Sequence, residues 1–251
     1  MEYAISDVAR IIGAKTSKLH ECTISILLTD SRRISFPEPS LFFALTTMTN
    51  DGHKYVADLY KSRVRNFVVC KMLPEYEQMQ DANFLLVKDV LRALQKLVIF
   101  HRKRFQIPVI GITGSNGKTV VKEFLYQLLH NEFNIVRSPR SYNSQIGVPL
   151  SVWEMNENNT LGIFEAGISQ PDEMEYLQPI IAPTIGVLTS IGEAHQENFL
   201  SMNQKCQEKL TLFTDCEAII YDGDNAFLSN AIETACLSHK AIAWSRTDTD
   251  A

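Results

Sequence analysis

Two hydrophobic patterns alternate along the chain. Short apolar runs rich in β-branched and aromatic residues predict buried strands, and segments with apolar residues every three to four positions predict amphipathic helices. In the first hundred residues the predicted strands are Ile24–Leu28, Leu41–Leu45, Asn66–Cys70 and Phe84–Val87. The predicted helices there are a short one capped by Ser6-Asp7 and running to about Ile12, His53–Arg63 and Val90–Phe105.

The alternation becomes regular after Pro108. The predicted strands are Val109–Thr113, Ile135–Arg137, Gly162–Ala166, Ile185–Ser190, Ala218–Tyr221 and Ala241–Trp244. The predicted helices between them are Lys118–His130, Ile146–Glu154, Asp172–Gln178, Ser201–Phe213 and Asn225–Thr234. Such alternation, with nearly continuous apolar strands, is typical of a parallel sheet covered by helices on both faces.

The predicted fold class is therefore α/β, with two domains. We place an N-terminal α/β domain at residues 1–105 and a mainly parallel sheet with helices on both faces at residues 106–251. The sequence stops just after a predicted strand, without a closing helix. We therefore expect the second domain to be incomplete.

Composition and charge narrow the function classes. The chain has 251 residues, a net charge of -5 and no basic cluster, so nucleic-acid binding is not indicated. No apolar run approaches the roughly 20 residues that a membrane-spanning helix needs. The five cysteines form no Cys-x-x-Cys pair, which argues against a zinc site or a disulfide framework. We expect a cytoplasmic protein.

The segment at residues 107–119 carries the strongest chemical signal. It reads Ile-Pro-Val-Ile-Gly-Ile-Thr-Gly-Ser-Asn-Gly-Lys-Thr and joins a predicted strand to a predicted helix. Backbone N–H groups of such a glycine-rich turn can surround phosphate oxygens at a helix N-terminus, while the lysine and threonine reach the β/γ-phosphates and Mg²⁺. The expected ATP-binding residues are Gly114, Ser115, Asn116, Gly117, Lys118 and Thr119.

This loop departs from the strict phosphate-loop pattern, which would place glycine at position 112. The chain has Ile112 there, with Gly111 one residue earlier and Gly114 inside the loop. The alternative is a plain strand–turn–helix corner. Several glycines between a strand and a helix favour nucleotide binding over that alternative.

The form Gly-Ile-Thr-Gly-Ser-Asn-Gly-Lys-Thr resembles the signature of the Mur ligase family, which includes the folylpolyglutamate synthetases. The resemblance covers most of residues 20–215. It implies an enzyme that uses ATP and Mg²⁺ to phosphorylate a carboxylate, after which an amine attacks the acyl phosphate to give an amide.

The same resemblance suggests the catalytic and metal-binding residues. Glu165 ends a predicted apolar strand, where ligands of open α/β sheets bind, and the family places a Mg²⁺ ligand there. The resemblance implies that Thr119 and Glu165 hold one Mg²⁺, and that His195 and carbamylated Lys209 hold a second. Lys205, one helical turn before Lys209, is the rival position for carbamylation. The alternatives are a solvated edge glutamate, a structural histidine and solvated helical lysines.

Other segments suggest the substrates. The resemblance implies that Ser31 and Arg32 face the UDP end of a UDP-muramoyl peptide, and that Asn143 contacts substrate. Asp51-Gly-His53 is most similar to members of the family that add D-alanyl-D-alanine to UDP-N-acetylmuramoyl tripeptide in peptidoglycan synthesis. The preceding loop, Leu45-Thr-Thr-Met-Thr-Asn50, diverges from most relatives and resembles forms fused to an alanine racemase.

Three alternatives to this function remain open from the sequence. They are a ligase of the same superfamily with a folate or other acceptor, a phosphate-loop kinase or GTPase-like switch, and a non-catalytic nucleotide-binding scaffold. We further expect this chain alone not to turn over, because Mur ligases carry a further C-terminal domain.

Overall fold

The computed structural model describes residues 1–32, 34–192 and 196–247. Backbone contacts divide the chain into two compact units, Met1–Phe100 and His101–Ala251. This division lies slightly before the predicted domain boundary. In the described part of the chain, no helix is both long and apolar enough to span a membrane.

The first unit contains a parallel sheet whose described strands lie in the order β3-β4-β5-β6. A small antiparallel pair, β1 with β2, accompanies it. The strands are β1 Tyr3–Ala4, β2 Thr23–Ile24, β3 Ile26–Leu28, β4 Ser40–Phe43, β5 Asn66–Val69 and β6 Asn83–Leu86. The α-helices that begin in it are α1 Ile5–Ile12, α2 Val56–Lys61 and α3 Val90–Arg102, and 3₁₀ turns lie at Gly52–Tyr55 and Pro74–Gln78.

Several sequence predictions in this unit were wrong in detail, and two of them have a clear structural reason. The predicted strand Ile24–Leu28 is split between two sheets, because the backbone N–H groups of Ser25 and Ile26 both donate to the Pro39 carbonyl and bend the chain there. Helix α1 begins at Ile5 with Ala4 as its N-cap, and no side chain caps it. Ser6 and Asp7 therefore lie inside its first turn.

The second unit confirms the predicted parallel sheet. Its described strands lie in the order β12-β11-β10-β7-β9-β8, and every pairing is parallel. The strands are β7 Val109–Thr113, β8 Ile135–Arg137, β9 Leu161–Ala166, β10 Ile185–Leu188, β11 Ala218–Asp222 and β12 Ala241–Trp244. The helices are α4 Lys118–Leu129, α5 Gly147–Trp153, α6 Met174–Ile181, α7 Met202–Leu210 and α8 Ala226–Thr234, with 3₁₀ turns at Gln196–Asn198, Thr211–Phe213 and Ser238–Lys240.

The strand order determines where a ligand can bind. Strand β7 lies between β9 and β10. The connection from β7 leads to β8 on one side of it, and the connection from β9 crosses to β10 on the other side. In open α/β sheets such a point leaves a crevice beyond the carboxyl ends of the strands. The loop after β7 and the last residues of β9 and β10 consequently meet at one edge.

Some helix ends differ from the predicted ones for identifiable reasons. Helix α3 ends at Arg102, before the predicted Phe105. The buried Arg102 guanidinium donates to the Phe105 carbonyl and holds the chain in a turn after the helix. Helix α6 continues through Pro179 to Ile181 and begins only at Met174. The left-handed backbone of Asp172, with φ of 64°, keeps that residue out of the helix.

A buried histidine makes the stability of the second unit sensitive to acid. His101 packs against Trp153 at 4.6 Å between ring centroids, its Nε2 lies 3.1 Å from the Met155 carbonyl oxygen, and burial lowers its pKa to about 4. Between that value and about 6.5 the unfolded chain binds a proton that the folded chain does not. The free energy of unfolding should therefore fall as the pH is lowered through this window.

Denaturant unfolding at several pH values, followed by tryptophan fluorescence, measures this dependence. We expect His101→Gln to flatten it, and exposed His239→Gln to leave it unchanged. An equal slope in the His101→Gln variant and the unmodified chain would show that another group is responsible.

Candidate functional site

The predicted phosphate loop connects β7 to α4 and is held by the residues after β10. The Ser115 N–H donates to the Ser190 carbonyl at 2.6 Å, and the Thr189 hydroxyl donates to the Asn116 carbonyl at 2.7 Å. Gly114 has φ of 148°, and a Cβ placed there would lie 1.9 Å from Thr189 Oγ1. Only glycine therefore fits this close approach. The helix then opens after Gly117, which has φ of 83°.

The side chain of Lys118 folds back toward the loop, so that its ammonium group contacts the loop carbonyls. Its Nζ donates to the carbonyl oxygens of Gly114 at 2.7 Å and Ser115 at 3.1 Å. Burial lowers its pKa, and the nearby charge of Glu165 opposes that shift. Phosphate oxygens are charged acceptors, so they would be stronger partners for this ammonium than neutral carbonyls.

Glu165 lies at the carboxyl end of β9, directly beside Ile112 of β7. Its side chain is completely buried. The Thr119 hydroxyl donates to Oε2 at 3.0 Å, and the Asn143 amide donates to the same oxygen at 3.5 Å. The alternative of a solvated edge glutamate is therefore wrong, and three of the predicted site residues meet at one carboxylate.

The same cluster includes Lys122, which the sequence analysis missed. Its Nζ lies 3.0 Å from Glu165 Oε1, and both side chains are fully buried. The Ser141 hydroxyl lies 3.3 Å from that of Thr119, so it also belongs to the cluster. A signal for Lys122 was present, because it follows Lys118 by four residues and thus lies on the same helix face.

These residues fit a hard divalent cation. Glu165 Oε1 is buried and accepts no hydrogen bond from the described residues, although it is in ion-pair contact with Lys122. Thr119 adds a hydroxyl oxygen beside the other carboxylate oxygen, and the Ser141 hydroxyl lies next to that of Thr119. Oxygen ligands with one carboxylate, next to a phosphate loop, are the donor set that Mg²⁺ prefers.

The predicted lysines of α7 are both buried. The side chain of Lys209 is only 3% exposed, and that of Lys205 donates to the Gly192 carbonyl. Burial, followed by repulsion from Lys118 and Lys205, lowers the pKa of Lys209 to about 7. The alternative of solvated helical lysines is therefore wrong. His195 lies outside the described residues.

The predicted substrate residues of the first unit are arranged differently. The exposed Arg32 guanidinium makes a two-pronged contact with Asp30, at 2.9 Å from Nε and 2.7 Å from a terminal nitrogen. Ser31 lies beside it in the turn after β3. The Asp51-Gly-His segment has a structural role, because Asp51 caps the 3₁₀ turn and holds the buried His53 ring at 2.6 Å.

A cavity of about 410 Å³ adjoins the phosphate loop. Its lining combines aliphatic side chains with the indole of Trp244, and the loop anchors Thr189 and Ser190 form one side of it. Asp222 and Asn225 contribute polar groups. A flat apolar ring with polar edges is the kind of ligand that this mixture can hold.

The close approach at Gly114 generates a stability prediction. We expect Gly114→Ala to destabilise the second unit by about 1–3 kcal/mol. The new methyl group must displace the Thr189 side chain, and alanine at residue 114 must adopt a backbone conformation that strains it. Gly117→Ala is the matched control, since it also adds a methyl group at positive φ but meets its nearest atom only at 3.9 Å.

Denaturant unfolding of the two variants compares these costs, and amide hydrogen exchange locates the change. The larger loss should be in Gly114→Ala, together with faster exchange in residues 114–117 and 189–190. A greater loss in Gly117→Ala would contradict the proposed packing.

Comparison with known proteins extends these observations. Residues 112–250 match the family model of the Mur ligase middle domain. Over 232 residues the chain is 29% identical to the UDP-N-acetylmuramoyl-tripeptide--D-alanyl-D-alanine ligase of Bacillus subtilis (strain 168), covering 90% of this chain and 50% of that protein. The chain thus spans about half the length of this curated relative.

Two solved structures have the same fold. MurF from Acinetobacter baumannii superposes with a TM-score of 0.86 and 23% identity, over 98% of this chain and 53% of that one. The MurF ligase of Thermotoga maritima in complex with ADP superposes with a TM-score of 0.74 and 22% identity, over 88% of this chain and 49% of that one. Because the middle-domain match covers more than half of the sequence, the chain belongs to the Mur ligase family.

Proposed function

We propose that the complete protein containing this chain is an ATP-dependent ligase that adds D-alanyl-D-alanine to UDP-N-acetylmuramoyl tripeptide in peptidoglycan synthesis. The observation that carries the proposal is the buried Glu165 carboxylate, with Thr119 beside it, at the base of a glycine-rich loop in a Mur ligase fold. The name of the Bacillus subtilis relative supports the choice of substrates.

The proposed reaction has two steps. In the first, a carboxylate oxygen of the tripeptide attacks the γ-phosphorus of ATP, and the bond to ADP breaks. In the second, the amine of D-alanyl-D-alanine attacks the acyl carbon and loses a proton. Phosphate leaves with the electrons of the broken C–O bond, and an amide remains.

The loop residues bind and orient the nucleotide in this proposal. Backbone N–H groups of the loop would surround the β- and γ-phosphates, except that of Ser115, which already donates to the Ser190 carbonyl. Lys118 would exchange its two loop carbonyls for phosphate oxygens. Its positive charge then stabilises the transferred phosphoryl group, which is the main requirement in such transfers.

Thr119 and Glu165 are the residues that would hold Mg²⁺, and His195 with carbamylated Lys209 would hold a second ion. When bound, the metal neutralises charge on the phosphates and on the attacking carboxylate. Asn143 donates to Glu165 at 3.5 Å. It therefore helps to keep that carboxylate oriented, in addition to its proposed contact with substrate.

The cavity beside the loop is the proposed nucleoside site. Its walls begin at Thr189 and Ser190, which also anchor the phosphate loop, so a nucleotide with its phosphates in the loop would extend toward Trp244. The Thermotoga maritima protein of the same fold is described in complex with ADP, which supports a nucleotide as the ligand.

The first unit would receive the UDP-muramoyl end. We assign Ser31 and Arg32 to its diphosphate, and the Asp30 contact keeps the Arg32 guanidinium oriented until a phosphate replaces it. We further propose that residues 1–105 form the substrate domain and residues 106–251 part of the ATP-binding domain. Since relatives are about twice as long, this chain alone should not complete the reaction.

Lys118 provides the direct test of this function. In the complete protein, phosphate release from ATP should require both UDP-N-acetylmuramoyl tripeptide and D-alanyl-D-alanine. Lys118→Ala should reduce it by at least about 100-fold, the scale for losing a charge that stabilises a transition state. Lys103→Ala, at an exposed lysine, is the matched control.

The outcomes separate the alternatives. Phosphate release with a different acceptor would assign the protein to another ligase of the family. Nucleotide binding without any acceptor-dependent release would leave a non-catalytic scaffold. Unchanged release in Lys118→Ala would contradict the assignment of the loop.

Carbamylation of Lys209 is a second prediction. Only a neutral amine attacks CO₂, and a lysine with a pKa of about 7 is largely neutral just above that pH, whereas an ordinary lysine near 10.4 is protonated. ¹³C NMR of the protein in labelled bicarbonate should show a carbamate that strengthens as the pH rises through 7. Lys209→Ala should abolish the signal and Lys205→Ala should retain it. The reverse result would assign the modification to Lys205.

A further inference from the structure

Lys122 is a completely buried lysine that has no role in the reaction as described above. It lies in α4, one turn after Lys118, and its side chain is 0% exposed. Burying an ammonium group is costly unless charged and polar partners replace its water. The identity of those partners therefore indicates what the residue does.

The ammonium group of Lys122 joins three parts of the unit. Its Nζ donates to the Ser138 carbonyl at 2.8 Å and to the Arg140 carbonyl, both in the segment after β8. It also lies 3.0 Å from Glu165 Oε1 at the end of β9. Two of these contacts are hydrogen bonds to carbonyl oxygens, and the third is an ion pair with a buried carboxylate on a separate element.

The segment that Lys122 holds also carries site residues. Arg140 has φ of 51°, an uncommon conformation that requires support from its surroundings. Ser141 and Asn143 follow directly, and their side chains approach Thr119 and Glu165. Release of the two carbonyls by Lys122 would therefore loosen the residues that face the carboxylate.

The two carboxylate oxygens of Glu165 have different partners. Oε1 is in contact with Lys122, whereas Oε2 accepts from Thr119 and Asn143 on the side of the phosphate loop. The ion pair thus determines which oxygen faces the loop. A rotated carboxyl group would present a different oxygen and a different direction of lone pairs to a metal ion.

From this arrangement we propose that Lys122 is a positioning residue for the metal-bound nucleotide. It fixes the orientation of the Glu165 carboxylate and holds residues 138–143 beside it. The inference rests on the proposed function, because it concerns the same metal site. It goes beyond the proposed function because it makes metal affinity depend on Lys122, a residue that would not itself contact the metal.

The test separates metal binding from nucleotide binding and from folding. The affinity for Mn²⁺ in the presence of ADP is measured by electron paramagnetic resonance, and that for metal-free ADP by calorimetry with a chelator. Lys122→Met should weaken the Mn²⁺ affinity by about 10–100-fold, the range for residues that orient metal ligands. Affinity for metal-free ADP should change less than about two-fold. A merely structural lysine would lower both affinities or neither.

Two further variants sharpen the result. Glu123→Gln is the matched control, since Glu123 contacts the same ammonium group at 3.2 Å but its side chain is partly exposed. It should leave both affinities unchanged. In a Glu165→Gln background, Lys122→Met should cause a much smaller additional loss of Mn²⁺ affinity, because its target carboxylate is already absent and only its hold on residues 138–143 remains. A further loss of the same size would overturn the inference.

Lys122→Arg covers the case in which the methionine variant does not fold. It keeps the positive charge but moves it away from Glu165 Oε1, so it should fold and still lose Mn²⁺ affinity. Normal Mn²⁺ affinity in a folded Lys122→Arg or Lys122→Met variant refutes the positioning role while leaving the ligase proposal intact. Conversely, absence of acceptor-dependent phosphate release refutes the ligase, even where Lys122 controls metal affinity.

Discussion

The burial of the Glu165 carboxylate beneath the phosphate loop is the constraint on which the candidate site depends. A carboxylate without solvent needs donors or a cation close by. Helix α4 provides the Thr119 hydroxyl and the Lys122 ammonium group, and the loop before α5 provides the Asn143 amide. Each of these groups is thereby fixed relative to β9. The same interactions that stabilise the charge therefore assemble the site.

The sheet order makes this convergence possible. Because β7 lies between β9 and β10, the phosphate loop is held from one side by Thr189 and faces Glu165 on the other. Helix α7 also contains buried lysines. Desolvation and two neighbouring lysines lower the pKa of Lys209 to about 7. An electropositive region of this kind favours polyphosphates, and it favours an amine that can be neutral near physiological pH.

Local signals in the sequence predicted much of this arrangement. The glycines and lysine of the loop, and the glutamate that ends an apolar strand, follow from short-range patterns, and parallel β-strands bring them to one edge. The spacing of Lys122 from Lys118 placed it on the same helix face, but its partners could not be predicted. They are 16 to 43 residues away, and only the folded chain brings them together. The break at Ser25 was missed for the same reason, since a distant carbonyl at Pro39 causes it. Ser6-Asp7 resembles a helix cap, but packing of Ile5 in the core starts α1 earlier.

The central claim is that Glu165 and Thr119 form the metal side of a nucleotide site. The most direct measurement is an anomalous-scattering map from crystals of this chain grown with Mn²⁺ and ADP. We expect a metal peak bonded to the Glu165 carboxylate and the Thr119 hydroxyl, with the diphosphate in the loop at residues 114–119. A metal ion bound to ADP without either protein ligand, or a diphosphate located elsewhere, would contradict this claim.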